Sequence, residues 1–401
     1  MNRKNLSACA LISILAAGPS IAQTDVSTTI DELETQVQRL DRQLRELKAQ
    51  QNSGQNAEVA QDNSQAMTAS VDDGLLTFTT NDGQFRWWLD SRLQFDTAGY
   101  FGSDNPMSSG IEARRVRFAI KGDLWTDFDF ADNGVDTKDA WIGYEGFGQN
   151  SEVKVGNFKP PFSLEEVTSS RMITFMERGL PNVFAPGRRL GIAYTHWADR
   201  WRVSGNVFGQ EVGAGDESGN DESFGGSIRG NFLPYHSDNS VLSVGASFAT
   251  YTPDADAENE IRFRTRAETH VERDRFLNTG KVGDVDSVDL FGFEAVYQRG
   301  PLMLQGEYIG ADLNRSAGEE NASYDGWYAF ASYILTGESR SYNARDGEFD
   351  VFTPKRDSGA WEVAIRASSL DLNDINAGVT GGSADEYTFG INYYPTRTLR
   401  F

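Results

Sequence analysis

An alternation of apolar and polar side chains from residue 75 onward constrains the fold of this chain more than any other feature. Segments of about ten residues repeat a period of two, and Gly, Asn and Asp separate them. Residues 85–101 alternate between an apolar face with Phe85, Trp87, Leu89, Leu93, Phe95 and Phe101 and a polar face with Arg86, Asp90, Arg92, Gln94 and Asp96. The pattern returns within residues 115–124, 201–207, 224–232 and 386–393. Because this period is typical of strands with two different faces, the sequence predicts an all-β fold.

The placement of aromatic residues distinguishes two all-β architectures. A soluble sandwich also alternates, but its apolar face must pack on a second sheet. Here aromatic pairs such as Trp87–Trp88, Trp327–Tyr328 and Tyr393–Tyr394 fall near predicted strand ends, as in the interface girdles of outer-membrane barrels. The segments between residues 75 and 401 fit about 16 antiparallel strands, enough to enclose a water-filled lumen. A mean hydropathy of -0.49 is compatible with this, because lumen-facing polar residues dilute the apolar band.

The N-terminus indicates export. Residues 1–22 combine Arg3 and Lys4 with an apolar stretch and with small residues before an expected cleavage after Ala22, which predicts a secretory signal peptide. The only cysteine, Cys9, lies inside this segment. The mature chain should therefore contain neither disulfides nor thiolate metal sites.

Residues 28–50 are predicted to form a helix. Their apolar positions follow steps of three and four, typical of a heptad seam, at Ile30, Leu33, Val37, Leu40, Leu44 and Leu47. The segment is either a short periplasmic coiled coil that helps subunits associate or a solitary amphipathic helix resting on the barrel. Residues 51–73 are rich in Gln, Asn, Ser and Ala and are predicted to be a flexible linker. This leaves residues 74–401 for the transmembrane barrel.

One long insertion interrupts the strand pattern at residues 157–189. Its four prolines at 160, 161, 181 and 186 prevent it from being one strand. Long insertions in compact domains are usually functional. We therefore expect this segment to fold into the mouth of the barrel and to narrow an aqueous channel.

The insertion and three other segments resemble the phosphate-selective porin O and P family. The motifs are NFKPPFSLEEVTSSRMITFMER, EARRVRFAIKGDLWTDFDF, WWLDSRLQFD and NYYPTRTLRF. The resemblance implies a 16-stranded outer-membrane barrel of a Gram-negative bacterium, assembled as a homotrimer in outer-membrane lipid, with its third extracellular loop folded inward. It also implies that arginines, with a lysine on that loop, bind phosphate in the specific members. Carried over by motif, the anion-binding positions are Arg92, Arg114, Arg115 and Arg171, with Arg178 close behind. Arg171 stands where the specific members tend to have Lys after TSS, which weakens the case for strict phosphate specificity.

Further basic residues widen the candidate set for an anion-binding constriction. Besides those five arginines, it includes Arg117, Arg188 and Arg189, with Arg86 and Lys121 as neighbours. Guanidinium groups match phosphate oxygens in shape and stay charged. Strict alternation would place Arg114 and Arg115 on opposite faces, so one must lie at a strand end, at a bulge or toward a neighbouring subunit. Arg262, Arg264 and Arg266 form a further basic run that either extends an electrostatic funnel or neutralises nearby acidic loops.

Two channel functions remain open at this stage. The cations either select anions such as phosphate or polyphosphate, or pair with acidic residues to give a general, weakly selective porin for small hydrophilic solutes. The acidic partners would be Asp90, Asp96, Asp127, Asp129, Glu165 and Glu166.

Other classes of function are disfavoured. The formal net charge of -22 argues against nucleic acid, which requires a basic surface. Acidic segments such as 211–222, 254–260, 272–289 and 371–386 are expected to be solvated, and none has calcium-loop spacing. His196, His236 and His270 lie in no nucleophile motif, so we expect neither an enzyme nor a cofactor or metal. A passive adhesin would leave the basic insertion unexplained.

Overall fold

The computed structural model describes residues 67–401 except for 73–74, 82–84, 103–106, 123, 132–134, 146, 211–222, 238, 254–258 and 317. Before residue 67 it describes only Arg39, Arg42, Gln43 and Arg45, which are helical. The chain divides into two units, residues 1–66 and 67–401. The signal peptide at 1–22 and nearly all of the predicted helix at 28–50 lie outside the described residues.

The second unit is almost entirely β structure. Its strands are β1 (Met67–Asp72), β2 (Leu75–Thr80), β3 (Arg86–Ala98), β4 (Gly110–Gly122), β5 (Leu124–Asp129), β6 (Asp136–Tyr144), β7 (Ser151–Phe158), β8 (Arg189–Ala198), β9 (Trp201–Phe208), β10 (Gly225–Ser237), β11 (Ser240–Tyr251), β12 (Arg264–Thr265), β13 (Leu277–Asn278), β14 (Val285–Arg299), β15 (Leu302–Arg315), β16 (Ala322–Ile334), β17 (Tyr342–Asn343), β18 (Glu348–Phe349), β19 (Ala360–Asp374) and β20 (Val379–Tyr394). Two short helices, α1 (Leu164–Val167) and a 3₁₀ helix (Leu180–Phe184), lie between β7 and β8.

Sixteen of these strands form one sheet in which sequence neighbours pair antiparallel. The pairs β12–β13 and β17–β18 form two small separate sheets. The strand number agrees with the sequence prediction. Strand β1 begins at Met67 and pairs with β2, so the sheet starts inside the segment predicted as a linker at 51–73. The sequence gives little warning of β1, because its two faces differ little and its described side chains are all exposed.

The burial pattern of the strands is the inverse of that in a soluble protein. In β19, Trp361, Val363 and Ile365 are exposed, whereas Glu362 and Arg366 are buried. The same arrangement holds in β3, where Leu93 and Phe95 are exposed and Asp96 is buried. Apolar side chains face out and charged ones face in, as the alternation predicted.

Three connections fold against the inner face of the sheet. We call them inner loop A (residues 159–188, between β7 and β8), inner loop B (252–284, between β11 and β14) and inner loop C (335–359, between β16 and β19). Loops A and B lie at one end of the strands and loop C lies at the opposite end, because successive strands run in opposite directions. Inner loop A joins the seventh and eighth strands. It is therefore the fourth connection at its end of the strands, not the third, because the β1–β2 hairpin adds one connection.

Hydrophobic contacts fasten loops A and B to one part of the wall. The buried cluster includes loop residues Phe162, Phe184 and Phe263 and wall residues Leu290 and Ile309. Phe184 and Phe263 meet edge to face with ring centroids 5.1 Å apart, so the two loops also pack on each other. The interior therefore contains an apolar cluster beside β14–β19, where buried charges such as Glu307 and Arg366 also lie, and β3–β6 carry the charged side chains that face the other side of loop A.

The same loop contacts show that the sheet curves strongly. Glu177 of inner loop A accepts a hydrogen bond from Arg114 on β4 through its side chain and from Arg366 on β19 through its carbonyl. These are the fourth and fifteenth strands of the sheet, so the sheet wraps around the loop.

Candidate functional site

A buried carboxylate on the wall fixes the start of α1 in inner loop A. Glu307 of β15 accepts hydrogen bonds from the backbone N–H groups of Leu164 (2.6 Å) and Glu165 (2.9 Å). It also accepts from the Ser163 hydroxyl at 3.3 Å and the Tyr328 hydroxyl at 2.8 Å. The first N–H groups of a helix have no partner within it. Glu307 supplies that partner and pins the loop to the wall.

Arg178 lies in the internal framework of inner loop A. Its guanidinium donates to the carbonyls of Glu165 (2.6 Å), Glu166 (3.2 Å) and Thr168 (2.9 Å). The Glu166 carboxylate lies 3.4 Å from Arg178 and 2.9 Å from Lys159. Burial raises the pKa of Glu166, but these two cations outweigh it and lower the pKa to about 2. Arg178 therefore stabilises the loop, and its Nε and one of its terminal nitrogens already have partners.

A β-bulge turns both Arg114 and Arg115 toward the loop. In the β3–β4 ladder, Gln94 pairs with Arg115 and Phe95 pairs with Ala113, so Arg114 is an extra residue. The Glu177 carboxylate accepts from Arg114 at 2.6 Å and lies 3.7 Å from Arg115. Of the three explanations left open by the sequence, the structure has the bulge.

Arg171 and Ser170 bring inner loop A to the β3 wall. Arg171 pairs with Asp90 at 2.6 Å and donates to the Ser91 carbonyl at 3.2 Å. Arg92 donates to the Ser170 hydroxyl. Asp90 also pairs with Lys121 at 2.6 Å. The wall and the loop therefore face each other across a strip of alternating charge.

The remaining predicted cations have acidic or carbonyl partners. Arg117 pairs with Asp129 at 2.8 Å and with Asp127 at 3.7 Å. Arg188 forms a two-pronged contact with Asp139 at 2.9 and 3.0 Å. Arg189 donates to the Arg188 carbonyl at 3.3 Å. The structure thus gathers Arg92, Arg114, Arg115, Arg117 and Arg171 where loop A meets β3 and β4, and it assigns Arg178 and Arg188 to holding the loop.

Three guanidinium groups of this arginine cluster have an N–H donor without a partner among the described residues. They are the buried Nε atoms of Arg92, Arg115 and Arg171. A buried N–H group without a partner costs free energy. The arrangement is therefore suited to a ligand that supplies oxygen acceptors and negative charge.

Inner loop C enters from the opposite end of the strands and reaches the region where inner loop A meets β3. The Glu348 carboxylate accepts from the backbone N–H of Ser169 at 3.2 Å, beside the Ser170–Arg171 pair. Burial, and then the nearby charge of Asp346, raises the pKa of Glu348 to about 7. Loop C thus contacts loop A where loop A meets β3.

Comparison with known proteins identifies the family. A family model described as phosphate-selective porin O and P matches residues 88–401. The chain belongs to this porin family.

Two relatives and one solved structure illustrate the likeness. Porin O of Pseudomonas aeruginosa is 28% identical over 370 residues, covering 80% of this chain and 82% of the relative. An uncharacterised protein of Caulobacter vibrioides is 28% identical over 347 residues, covering 81% of this chain and 68% of the relative. A loop-deletion mutant of OmpT, an outer membrane protein of Vibrio cholerae, has a TM-score of 0.45 and 11% identity, covering 77% of this chain and 88% of that chain.

Membership in the porin family places the chain in the outer membrane of a Gram-negative bacterium and makes it a channel protein. Among the described residues, no helix is long and apolar enough to cross a membrane. The part of the chain that the structure covers also shows no cluster of His, Cys, Asp and Glu able to hold a metal ion.

Sequence reasoning missed the contribution of inner loop B to this porin interior. Residues 272–289 were expected to be a solvated acidic segment, but Glu272 and Leu277 are buried, and β14 begins at Val285. The Glu272 carboxylate accepts from the backbone N–H groups of Ser108 (2.5 Å) and Asp274 (2.8 Å), which compensates its burial. Residues 371–386 are likewise largely strand in β19 and β20. In the basic run, Arg262 and Arg264 are exposed, while Phe263 between them is buried.

Proposed function

We propose that the sheet closes into a trimeric outer-membrane barrel that passes small anions, phosphate or polyphosphate among them, beside Arg92, Arg115 and Arg171. The observation that carries this proposal is the set of three buried Nε donors where inner loop A meets the wall, which have no partners in the part of the chain that the structure describes. The family supplies the wider context, since its description names phosphate selectivity. The trimer rests on the resemblance to that family.

Closure of the barrel is supported by the contacts of the inner loops. Glu177 joins strands at the fourth and fifteenth positions of the sheet. Inner loop B similarly joins Glu112 of β4 to His270, 2.9 Å apart, and the Glu386 carboxylate of β20 to the N–H of Glu268 at 3.1 Å. The outward apolar band, with Ile365, Phe389 and Ile391 exposed, suits a lipid environment, where unpaired edges are not tolerated.

The strength of the charges supports a moderate, multi-residue preference. A unit-charge pair at 4 Å is worth about 1 kcal/mol in bulk water and about 4 kcal/mol at an effective dielectric near 20. One arginine in a wide lumen would hardly bias traffic, whereas several in a narrowed passage can. Transport also needs release, which a row of moderate sites permits.

A general porin of weak selectivity is the second candidate. Asp90, Asp127, Asp129 and Asp139 each pair with a cation of the wall or loop. Such pairs place opposite charges side by side and would orient polar solutes without favouring anions. This reading gives the carboxylates a role in transport, whereas the anion proposal makes them supports for the arginines.

The two functions are distinguished by competition between ions. In a planar bilayer with KCl, micromolar to millimolar phosphate should reduce the chloride current of an anion-binding passage in a saturable way. Arg92→Gln and Arg115→Gln should each weaken that block. A current that is indifferent to phosphate at every concentration supports the general porin.

A further inference from the structure

One buried guanidinium group on the wall contacts both inner loop A and inner loop B, which lie at the same end of the strands. Arg366 of β19 donates to the Glu177 carbonyl of inner loop A at 2.9 Å and lies 3.6 Å from the Glu165 carboxylate of that loop. Its other terminal nitrogen donates to the Glu268 carboxylate of inner loop B. The side chain is fully buried and stacks over the Phe175 ring at 4.4 Å.

We propose that Arg366 is a positioning residue that fastens inner loops A and B to β19 and thereby sets the width of the passage. The inference rests on the proposed function only in that the passage conducts ions. It does not depend on which ion is preferred.

The partner of Arg366 in inner loop B ties the two loops to each other. The Glu268 carboxylate accepts from the Leu180 N–H of loop A at 3.2 Å and from the Thr388 hydroxyl of β20 at 2.9 Å. The same Leu180 N–H donates to the Ser368 hydroxyl of β19 at 3.0 Å. Arg366 and Glu268 therefore form the centre of a junction in which both loops and two strands meet.

The charge balance makes this junction depend on Arg366. Its guanidinium faces the carboxyls of Glu165 and Glu268, and the Glu268 backbone holds a third carboxyl, Glu386, at 3.1 Å. Burial raises the pKa of Glu165, an effect that the positive charge of Arg366 opposes. Removing one partner of a buried pair leaves the other charge uncompensated. Without Arg366 the carboxyls repel, and the loops lose the charged part of their common attachment, while the hydrophobic contacts remain.

Glu177 carries the effect of this junction to the arginines of the opposite wall. Its carbonyl accepts from Arg366, and its carboxylate pairs with Arg114. Inner loop A is thus held between β19 and β4. If the β19 attachment fails, the segment with Ser170 and Arg171 is free to move relative to Arg92.

The shape of the group matters as well as its charge. A guanidinium offers several donors in a rigid fork, whereas a lysine ammonium is a compact point charge. Arg366 serves a carbonyl and two carboxylates at once. Arg366→Lys should therefore restore folding better than Arg366→Gln but leave the loops loosely held.

The test compares single-channel conductance and the size of the largest polyethylene glycol that enters the pore. Because a wider passage offers less resistance, Arg366→Gln and Glu268→Gln should each raise conductance about twofold, with added fluctuations. The double variant should match the single ones, since both break the same junction. Lys154→Gln on the wall strand β7 is the control: Lys154 pairs with Glu152 at 3.1 Å and lies over the Trp141 ring of β6 at 4.4 Å, and neither contact involves an inner loop.

The control should lower stability while keeping the conductance and exclusion size of the unaltered channel. If Arg366→Gln does not fold, Glu268→Gln and Arg366→Lys decide the question. A folded variant that lacks the Arg366–Glu268 pair and conducts like the unaltered channel overturns the proposal. Reversal potentials from the same recordings test anion preference separately, so either proposal can fail alone.

Discussion

At the scale of single residues, Arg92 shows how a partly paired cation can serve transport. Its guanidinium donates to Ser170, and its buried Nε has no partner among the described residues. No acidic side chain of the described residues forms a salt bridge with it, whereas Arg117 has two and Arg171 has one. Its charge is therefore available to a passing anion.

Replacing Arg92 by Gln should reduce the anion-to-cation permeability ratio about fivefold, since about 1 kcal/mol is lost per unit charge at 4 Å in water. The reversal potential in a KCl gradient measures this ratio. The exposed Arg200, in the turn between β8 and β9, provides a control, because Arg200→Gln removes the same charge at the end of β8 that is remote from inner loop A. If the two variants have equal permeability ratios, Arg92 is not part of the anion-binding site.

The raised pKa of Glu348 predicts that the stability of the protein depends on pH. Its folded-state pKa is raised to about 7, so the folded state prefers the protonated form. The stabilisation is complete below the unfolded pKa and is lost as pH rises through 7, by at most about 3 kcal/mol. The thermal midpoint should therefore fall between pH 5 and 8 more steeply in the unaltered protein than in Glu348→Gln. Parallel curves would show that Glu348 does not titrate in this window.

At the scale of elements, the bulge at Arg114 decides which way β4 presents its side chains. Without Arg114 the ladder would be regular, since Ala113 and Arg115 already pair with Phe95 and Gln94. Deleting Arg114 should leave a folded barrel that has lost only the Glu177 contact, at about 1.5–3 kcal/mol. Deleting Arg117, in the regular part of the strand, should prevent folding, because a one-residue slip turns side chains to the wrong face. The yield of heat-modifiable barrel on gels measures both, and equal yields would contradict the bulge assignment.

The elements also show what the sequence could and could not predict. The strands of the wall were predictable, because period two reports directly which side chains face lipid, as in Trp361, Val363 and Ile365. The insertion at loop A was predictable from its prolines and length. Inner loop B was not, because Glu272 is a charged residue in a turn-rich segment, and its burial depends on contacts such as those with the Ser108 and Asp274 N–H groups. The positions of Glu307 and Arg366 likewise depend on contacts between segments more than a hundred residues apart.

At the scale of the whole molecule, the account requires that lipid, not water, surrounds the sheet. Ile365 is 45% exposed on the outer face of β19. Ile365→Arg should cost about 2–4 kcal/mol in lipid vesicles, as expected for arginine near the middle of a bilayer. Asp371→Arg, at an exposed position near the end of the same strand, should cost far less. Denaturant unfolding in vesicles gives both values, and a neutral Ile365→Arg would place that face in water.

The central claim is that inner loop A and the β3–β4 wall together form a passage whose guanidinium groups, three of them with a buried Nε donor that has no partner among the described residues, attract anions. The most direct measurement is the sign of the reversal potential of the purified, unaltered protein in a planar bilayer under a KCl gradient. The account predicts the sign that corresponds to chloride being more permeant than potassium. The opposite sign, or a potential of zero across a tenfold gradient, would contradict it.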